Sequence, residues 1–116
     1  MFLCVSINLT NLKIMKLLLI TAVREFEKDI KQILKKAQVK SFSYKDVKGF
    51  KDNSEDALEA NWFATNMQET ESILFYAFVN EEKVDGLFDM VKEFNTEQVS
   101  KSNIHVAVLN IERCSN

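Results

Sequence analysis

Apolar positions change their spacing several times along the chain, and each change marks an element. Leu17 to Ala22 is a continuous apolar run, which predicts a strand buried on both faces. From Arg24 the period lengthens, and Phe26, Ile30, Ile33, Leu34 and Ala37 fall on one stripe of a helix. Glu25, Lys28, Lys31, Gln32, Lys35 and Lys36 fill the rest of its circumference, with acids early and lysines late as the helix dipole favours. Lys40 to Phe50 alternates, with Phe42 and Tyr44 on one face and Ser43 and Lys45 on the other. Ser72 to Val79, rich in aromatic and branched side chains, predicts a third strand. A second helix begins at Asn80 or Glu81, with Val84, Leu87, Phe88, Val91 and Phe94 inward and Asp85, Asp89, Lys92 and Glu93 toward water. Gly86 inside that helix weakens it by about 1 kcal/mol relative to alanine. Asn95 to Asn103 reads as a connection and Ile104 to Ile111 as the last strand.

The order β-α-β-β-α-β is the split pattern of the α+β ferredoxin-like fold, a four-stranded antiparallel sheet with both helices on one face. Right-handed crossovers place the first and third of these strands at the centre. Two helices cover one face only, yet Leu74, Tyr76 and Phe78 point opposite to Phe75 and Ala77. Leaving such side chains in water costs about 1.5–3 kcal/mol each, so the second face is expected to be covered by other subunits.

Residues 1–14 fit this pattern least. They are apolar at first, but no basic residue precedes Val5 and no small-residue cleavage site follows, which argues against a secretory signal. Met15 opens the regular pattern, so residues 1–14 are read as an extension and 15–116 as one domain, with the natural start expected at Met15. If ordered, the extension is expected to form an extra edge strand or arm. No apolar run approaches the ~18 residues of a membrane span. The balance of 15 basic and 17 acidic residues gives no reason to expect nucleic acid as a partner. Cys4 and Cys114 are too few for a disulfide scaffold and match no zinc spacing, which predicts two reduced thiols in a cytoplasmic protein.

Candidate chemistry is sparse. One histidine, His105, lies in a strand without a placed carboxylate or thiol, and two glycines rule out a Gly-rich phosphate loop. No catalytic set can be drawn on spacing, so the chain is not expected to be an enzyme. The segment 51–71 carries most of the unusual content. It holds the acids Glu55, Asp56 and Glu59, read as a solvated face, and the pair Trp62-Phe63, read as an anchor on a neighbouring subunit or a tip for a partner. Such long loops are usually functional or disordered.

That segment follows Asp46-Val47-Lys48-Gly49-Phe50, which resembles the acid-Val-Lys-Gly-Phe signature where PII signal-transduction proteins end their second strand and enter the T-loop. The Met-Lys-apolar first strand, Phe26 with Asp29-Ile30, and Val84-Asp85 agree with that resemblance, which covers about residues 15 to 112. It implies a homotrimer that binds a small effector between subunits, an adenine nucleotide for example, and controls a partner such as a membrane transporter through the 51–71 loop. Lys48, Gly49, Phe50, Lys51 and Asn53 stand at the implied ligand-binding positions. Departures are several. Lys51 and Asn53 replace the glycine and glutamine of the family, residues 51–71 hold no tyrosine for nucleotidylation, Asn95–Asn103 holds no glycine, and only Arg113 remains of the terminal basic residues. Weak or absent ATP and 2-oxoglutarate binding is the expectation that follows. The alternative is a metal-binding trimer related to divalent-cation tolerance or efflux, with His105 and Cys114 as the candidate ligands.

Overall fold

A computed structural model describes residues 5–7, 12–52, 67–99 and 102–115. Its strands are β1 (Val5–Ile7), β2 (Leu12–Val23), β3 (Ser43–Asp52), β4 (Met67–Asn80) and β5 (His105–Asn110), and its helices are α1 (Glu27–Lys36) and α2 (Val84–Glu97). All strand pairs are antiparallel. β2 lies between β4 and β5, and β3 pairs the outer side of β4, so the two central strands are those expected. This is the α+β ferredoxin-like arrangement. β1 pairs Leu12–Ile14, the leading end of β2, as an added arm. The expected boundary at Met15 therefore falls inside a continuous strand.

One face of the sheet carries the core. Leu18, Ile20 and Ala22 of β2 and Ile73, Phe75, Ala77 and Val79 of β4 are buried against Ile30, Ile33 and Leu34 of α1 and Leu87 and Val91 of α2. Phe26 and Phe94 meet edge to face, with ring centroids 5.0 Å apart, closing the gap between the helices. Tyr44 stacks on Phe75 at 5.0 Å, so the alternation of β3 has the phase predicted. Phe88, assigned to the inner side of the second helix, is instead 40% exposed, and Met90 packs against the core. The helix also continues to Glu97, beyond the expected break at Asn95. Asn95 stays helical because its side chain works on another element, accepting from the Ile104 backbone N–H at 2.8 Å and donating to the Ile104 carbonyl at 2.9 Å.

Helix entries are made by 3₁₀ turns at Arg24–Phe26 and Glu81–Lys83, the second capped by Asn80, whose side chain accepts from Glu82 N–H. α1 ends with Gln38 in the left-handed region, φ 64°, and Val39 N–H bonded back to Leu34. β3 and β4 reach farther than the sequence pattern suggests, to Asp52 and back from Met67, so both ends of the 51–71 segment are ladder rather than loop. The register explains the extension: Lys48 stands opposite Glu71, and unlike charges facing each other favour pairing.

Among the described residues the second sheet face has no helix. Its rows run Phe78–Leu17–Leu109, then Tyr76–Leu19–Ala107, then Leu74–Thr21–His105. Tyr76 is 45% and Leu109 41% exposed, and Leu17, Leu19, Leu74 and Phe78 are half-buried.

Candidate functional site: a hydroxyl-lined cleft where the long hairpin leaves the sheet

The open face changes character toward the β3–β4 hairpin. One row beyond Leu19 the leucines begin to give way to Thr21 and His105, and farther on to Ser72 and Thr70, and Val47 and Gly49 lie beside these on β3. Thr21, Val23, Val47, Gly49, Ser72 and His105 line a cleft of about 380 Å³ that Ser102 and Asn103 close from the last connection. Alternation explains the grouping, because these residues sit at like-phase positions of four neighbouring strands.

Gly49 is required by close approach. A Cβ there would stand 2.8 Å from Thr70 Oγ1 and 2.9 Å from Ser72 Oγ, which real contacts do not tolerate. Those two hydroxyls lie 3.2 Å apart and hydrogen-bond to each other. Among the described residues the cleft thus presents small donors and acceptors without a lysine or arginine in its wall. That suits orientation of a polar ligand more than neutralisation of a polyphosphate.

Arg24 fastens the base of the hairpin from the opposite face. Its Nη2 donates to Asp46 Oδ2 at 2.9 Å on β3, and Nη1 lies 3.5 Å from Glu71 Oε2 on β4. Asp46 is the acid of the signature, and its role here is an ion pair with the turn after β2. Arg24 was not among the candidates, since only the strand register shows that it meets Asp46.

The predicted site residues separate. Gly49 enters the cleft, whereas Lys48 and Phe50 have the opposite strand phase and are exposed, Phe50 to 61%. The side chain of Lys51, and Asn53, Glu55, Asp56, Glu59, Trp62 and Phe63, lie outside the described residues. His105 lines the cleft, directly across from Thr21. Thr21, Ser72, Ser102 and Asn103 were not singled out, because isolated hydroxyls and amides carry no spacing signal.

The expectation of reduced thiols is corrected. Cys114 is disulfide-bonded, which removes its thiolate as a metal ligand. The physical reason lies in topology: Lys16 stands opposite Asn110, so the chain after β5 runs toward the leading end of β2, where the N-terminal arm is paired. Cys4, the only other cysteine, lies outside the described residues. Among the described residues no three histidine, cysteine, aspartate or glutamate side chains converge as a metal site. Among them, too, no helix is long and apolar enough to cross a membrane.

No family model and no curated protein matches the sequence. Solved structures do match its fold. CPII, a nitrogen regulatory PII-like protein from Thiomonas intermedia bound to ADP, AMP and bicarbonate, is 18% identical with a TM-score of 0.56, over 87% of this chain and 96% of that one. GlnK of B. subtilis in complex with ATP is 18% identical with a TM-score of 0.59, over 83% and 82% of the two chains. Arabidopsis thaliana PII bound to citrate is 13% identical with a TM-score of 0.59, over 84% and 77%. The chain has the PII-like form of the ferredoxin-like fold, and its hydroxyl-lined cleft stands at the foot of the hairpin that carries the signature.

Proposed function

We propose that this chain is a PII-like regulatory protein, a homotrimer that binds a small effector between subunits. It then controls a partner protein through the segment between β3 and β4, a membrane transporter being the partner class that the resemblance implies. The observation that carries this reading is the cleft at Gly49. It lies on the uncovered sheet face, at the point where the hairpin leaves the sheet, so a ligand there touches the strands that lead into the loop. The uncovered rows of Leu17, Leu19, Tyr76, Phe78 and Leu109 beside it support subunit contacts on that same face.

The fold relatives crystallised with ADP and AMP, with ATP and with citrate guide the choice of effector. A cleft wall of hydroxyl, amide and imidazole groups favours a ligand of low charge, such as a nucleoside monophosphate, over ATP. Thermal shift of the full chain against AMP, ADP, ATP, 2-oxoglutarate and divalent cations tests this. At a hundredfold excess over Kd a ligand stabilises by about 2.7 kcal/mol. Stabilisation by AMP with a weaker response to ATP is expected. Stabilisation by divalent transition metals alone would favour the metal-binding alternative instead.

A further inference from the structure

Charge is distributed in two opposed blocks. Residues 28–48 hold seven lysines and two aspartates, whereas residues 52–71 hold six acids and no basic residue. The fold gathers part of the first block around an open groove of about 460 Å³ at the end of α1. Val39 and Phe42 form its apolar floor, and Lys31, Lys35 and Lys40 its rim. Lys31 is already engaged, donating to Glu27 at 2.8 Å and to the Tyr44 hydroxyl at 2.9 Å. Lys35 and Lys40 have no ion-pair partner among the described residues. Two unneutralised ammonium groups over an apolar floor favour an acidic segment that also brings a hydrophobic side chain.

The chain's own sequence contains such a segment, with Glu55, Asp56 and Glu59 followed by Trp62-Phe63. Its leading acids, Glu55 and Asp56, cannot reach the groove of their own subunit. Phe42 precedes the start of β3 and Asp52 ends it, a separation of roughly 30 Å along the strand. Glu55 and Asp56 follow Asp52 so closely that folding back covers no more than about 14 Å of that distance. We infer that the groove of Lys35, Lys40 and Phe42 receives the acidic 52–63 segment of a second copy of this chain. Such a contact joins two different surfaces, so it is heterologous and builds a ring or an array. It goes beyond the sensor reading, since it assigns the loop a docking place on another copy rather than on a regulated protein.

Zero-length carbodiimide cross-linking tests it directly, because that reagent joins only lysines and carboxylates already in contact. Unlabelled and ¹⁵N-labelled full-length chains are refolded together, cross-linked and digested. Mixed light–heavy peptides joining Lys35 or Lys40 to Glu55 or Asp56 are expected, and their yield should fall severalfold above about 0.5 M NaCl. The double change K35E/K40E should abolish them, and adding E55K/D56K to it should restore links with the charges exchanged. That restoration shows that the loss in the double variant is not simple misfolding. Links confined to single chains, or no links from Lys35 and Lys40, overturn the inference. A trimer that binds its effector without these links overturns the docking contact alone and leaves the sensor reading standing.

Discussion

Arg24 and Asp46 form the shortest ion pair at the foot of the hairpin, 2.9 Å between Nη2 and Oδ2, and Arg24 reaches Glu71 as well. Two neighbouring strands are thereby tied to the turn that starts α1. Both side chains are about half exposed, which limits the energy of the pair to about 0.2–1 kcal/mol. A double-mutant cycle on Arg24→Ala and Asp46→Ala should give a coupling in that range, diminishing in high salt. A coupling well above it would show a desolvated network that the exposure of these groups does not suggest.

The Gly49→Ala change is expected to be more damaging than any surface charge. Its methyl meets the Thr70 and Ser72 hydroxyls under 3.0 Å, so one strand must shift or the hydroxyls must rotate. Overpacking of this kind costs typically 1–3 kcal/mol. Adding Thr70→Ala and Ser72→Ala should recover most of that loss in a denaturant melt. Failure to recover would locate the cost in the backbone of β3 rather than in the two side chains.

Lys31 supplies a pH-dependent contribution. The Glu27 carboxylate, and after it the Tyr44 hydroxyl, hold its ammonium above the usual 10.5. A lysine with a raised folded pKa adds stability that is fully present below its unfolded value and is lost as pH climbs through the folded one. Stability should therefore decline above pH 10.5 more steeply in the parent chain than in Glu27→Gln, where the larger cause is removed. An NMR titration of the Lys31 Nζ environment that does not move in Glu27→Gln would contradict this.

How the sequence reveals some of these features and hides others follows from the range of each interaction. The stripe of Ile30, Ile33 and Leu34 and the run of Leu18 and Ile20 are local patterns, and they gave the elements and the strand order. Phe88 lay on the edge of its stripe, and a rotation of the helix by less than one residue turned it outward in favour of Met90. Asp46-Val47-Lys48-Gly49-Phe50 stands out as a word, but only the unbroken pairing of β3 with β4 divides it between two faces. Alternation sends Val47 and Gly49 into the cleft and leaves Lys48 and Phe50 outside. Ser72, Ser102 and Asn103 meet there only through register and a turn, and neither leaves a mark in spacing. The disulfide at Cys114 depends on where the chain after β5 arrives, which is again a property of register.

Two substitutions should raise stability. Gly86 lies exposed in α2 with nothing within 4 Å of an added Cβ, so Gly86→Ala gains helix propensity of about 0.5–1 kcal/mol. Gln38 carries φ 64° where glycine bears no steric penalty, so Gln38→Gly should relieve about 1 kcal/mol of strain. The Gln38 backbone carbonyl, which accepts from Lys83 Nζ at 2.7 Å, is retained in that variant. Unchanged or lower melting temperatures for both would mean that neither backbone position is limiting.

Asn95 decides whether the last strand is placed correctly. Its carboxamide fills both hydrogen-bonding groups of Ile104, at 2.8 and 2.9 Å, one residue before β5 begins. Ile104 is buried to 2% exposure and packs in the core, so water cannot readily replace the missing partner. Truncation to alanine leaves a buried donor and acceptor unsatisfied, a loss of about 1–3 kcal/mol, and Asn95→Asp should be milder because one carboxylate oxygen still accepts from Ile104 N–H. β5 also carries His105 into the cleft and pairs with Thr21 there, so the same change should loosen the cleft wall. Amide exchange at His105 to Val108 is the measurement that separates local from global effects. Faster exchange confined to β5 in Asn95→Ala, together with weaker ligand-induced thermal shifts, is the expected result. Uniform acceleration across β2 and β4 would show that Asn95 stabilises the whole sheet and has no particular hold on the cleft.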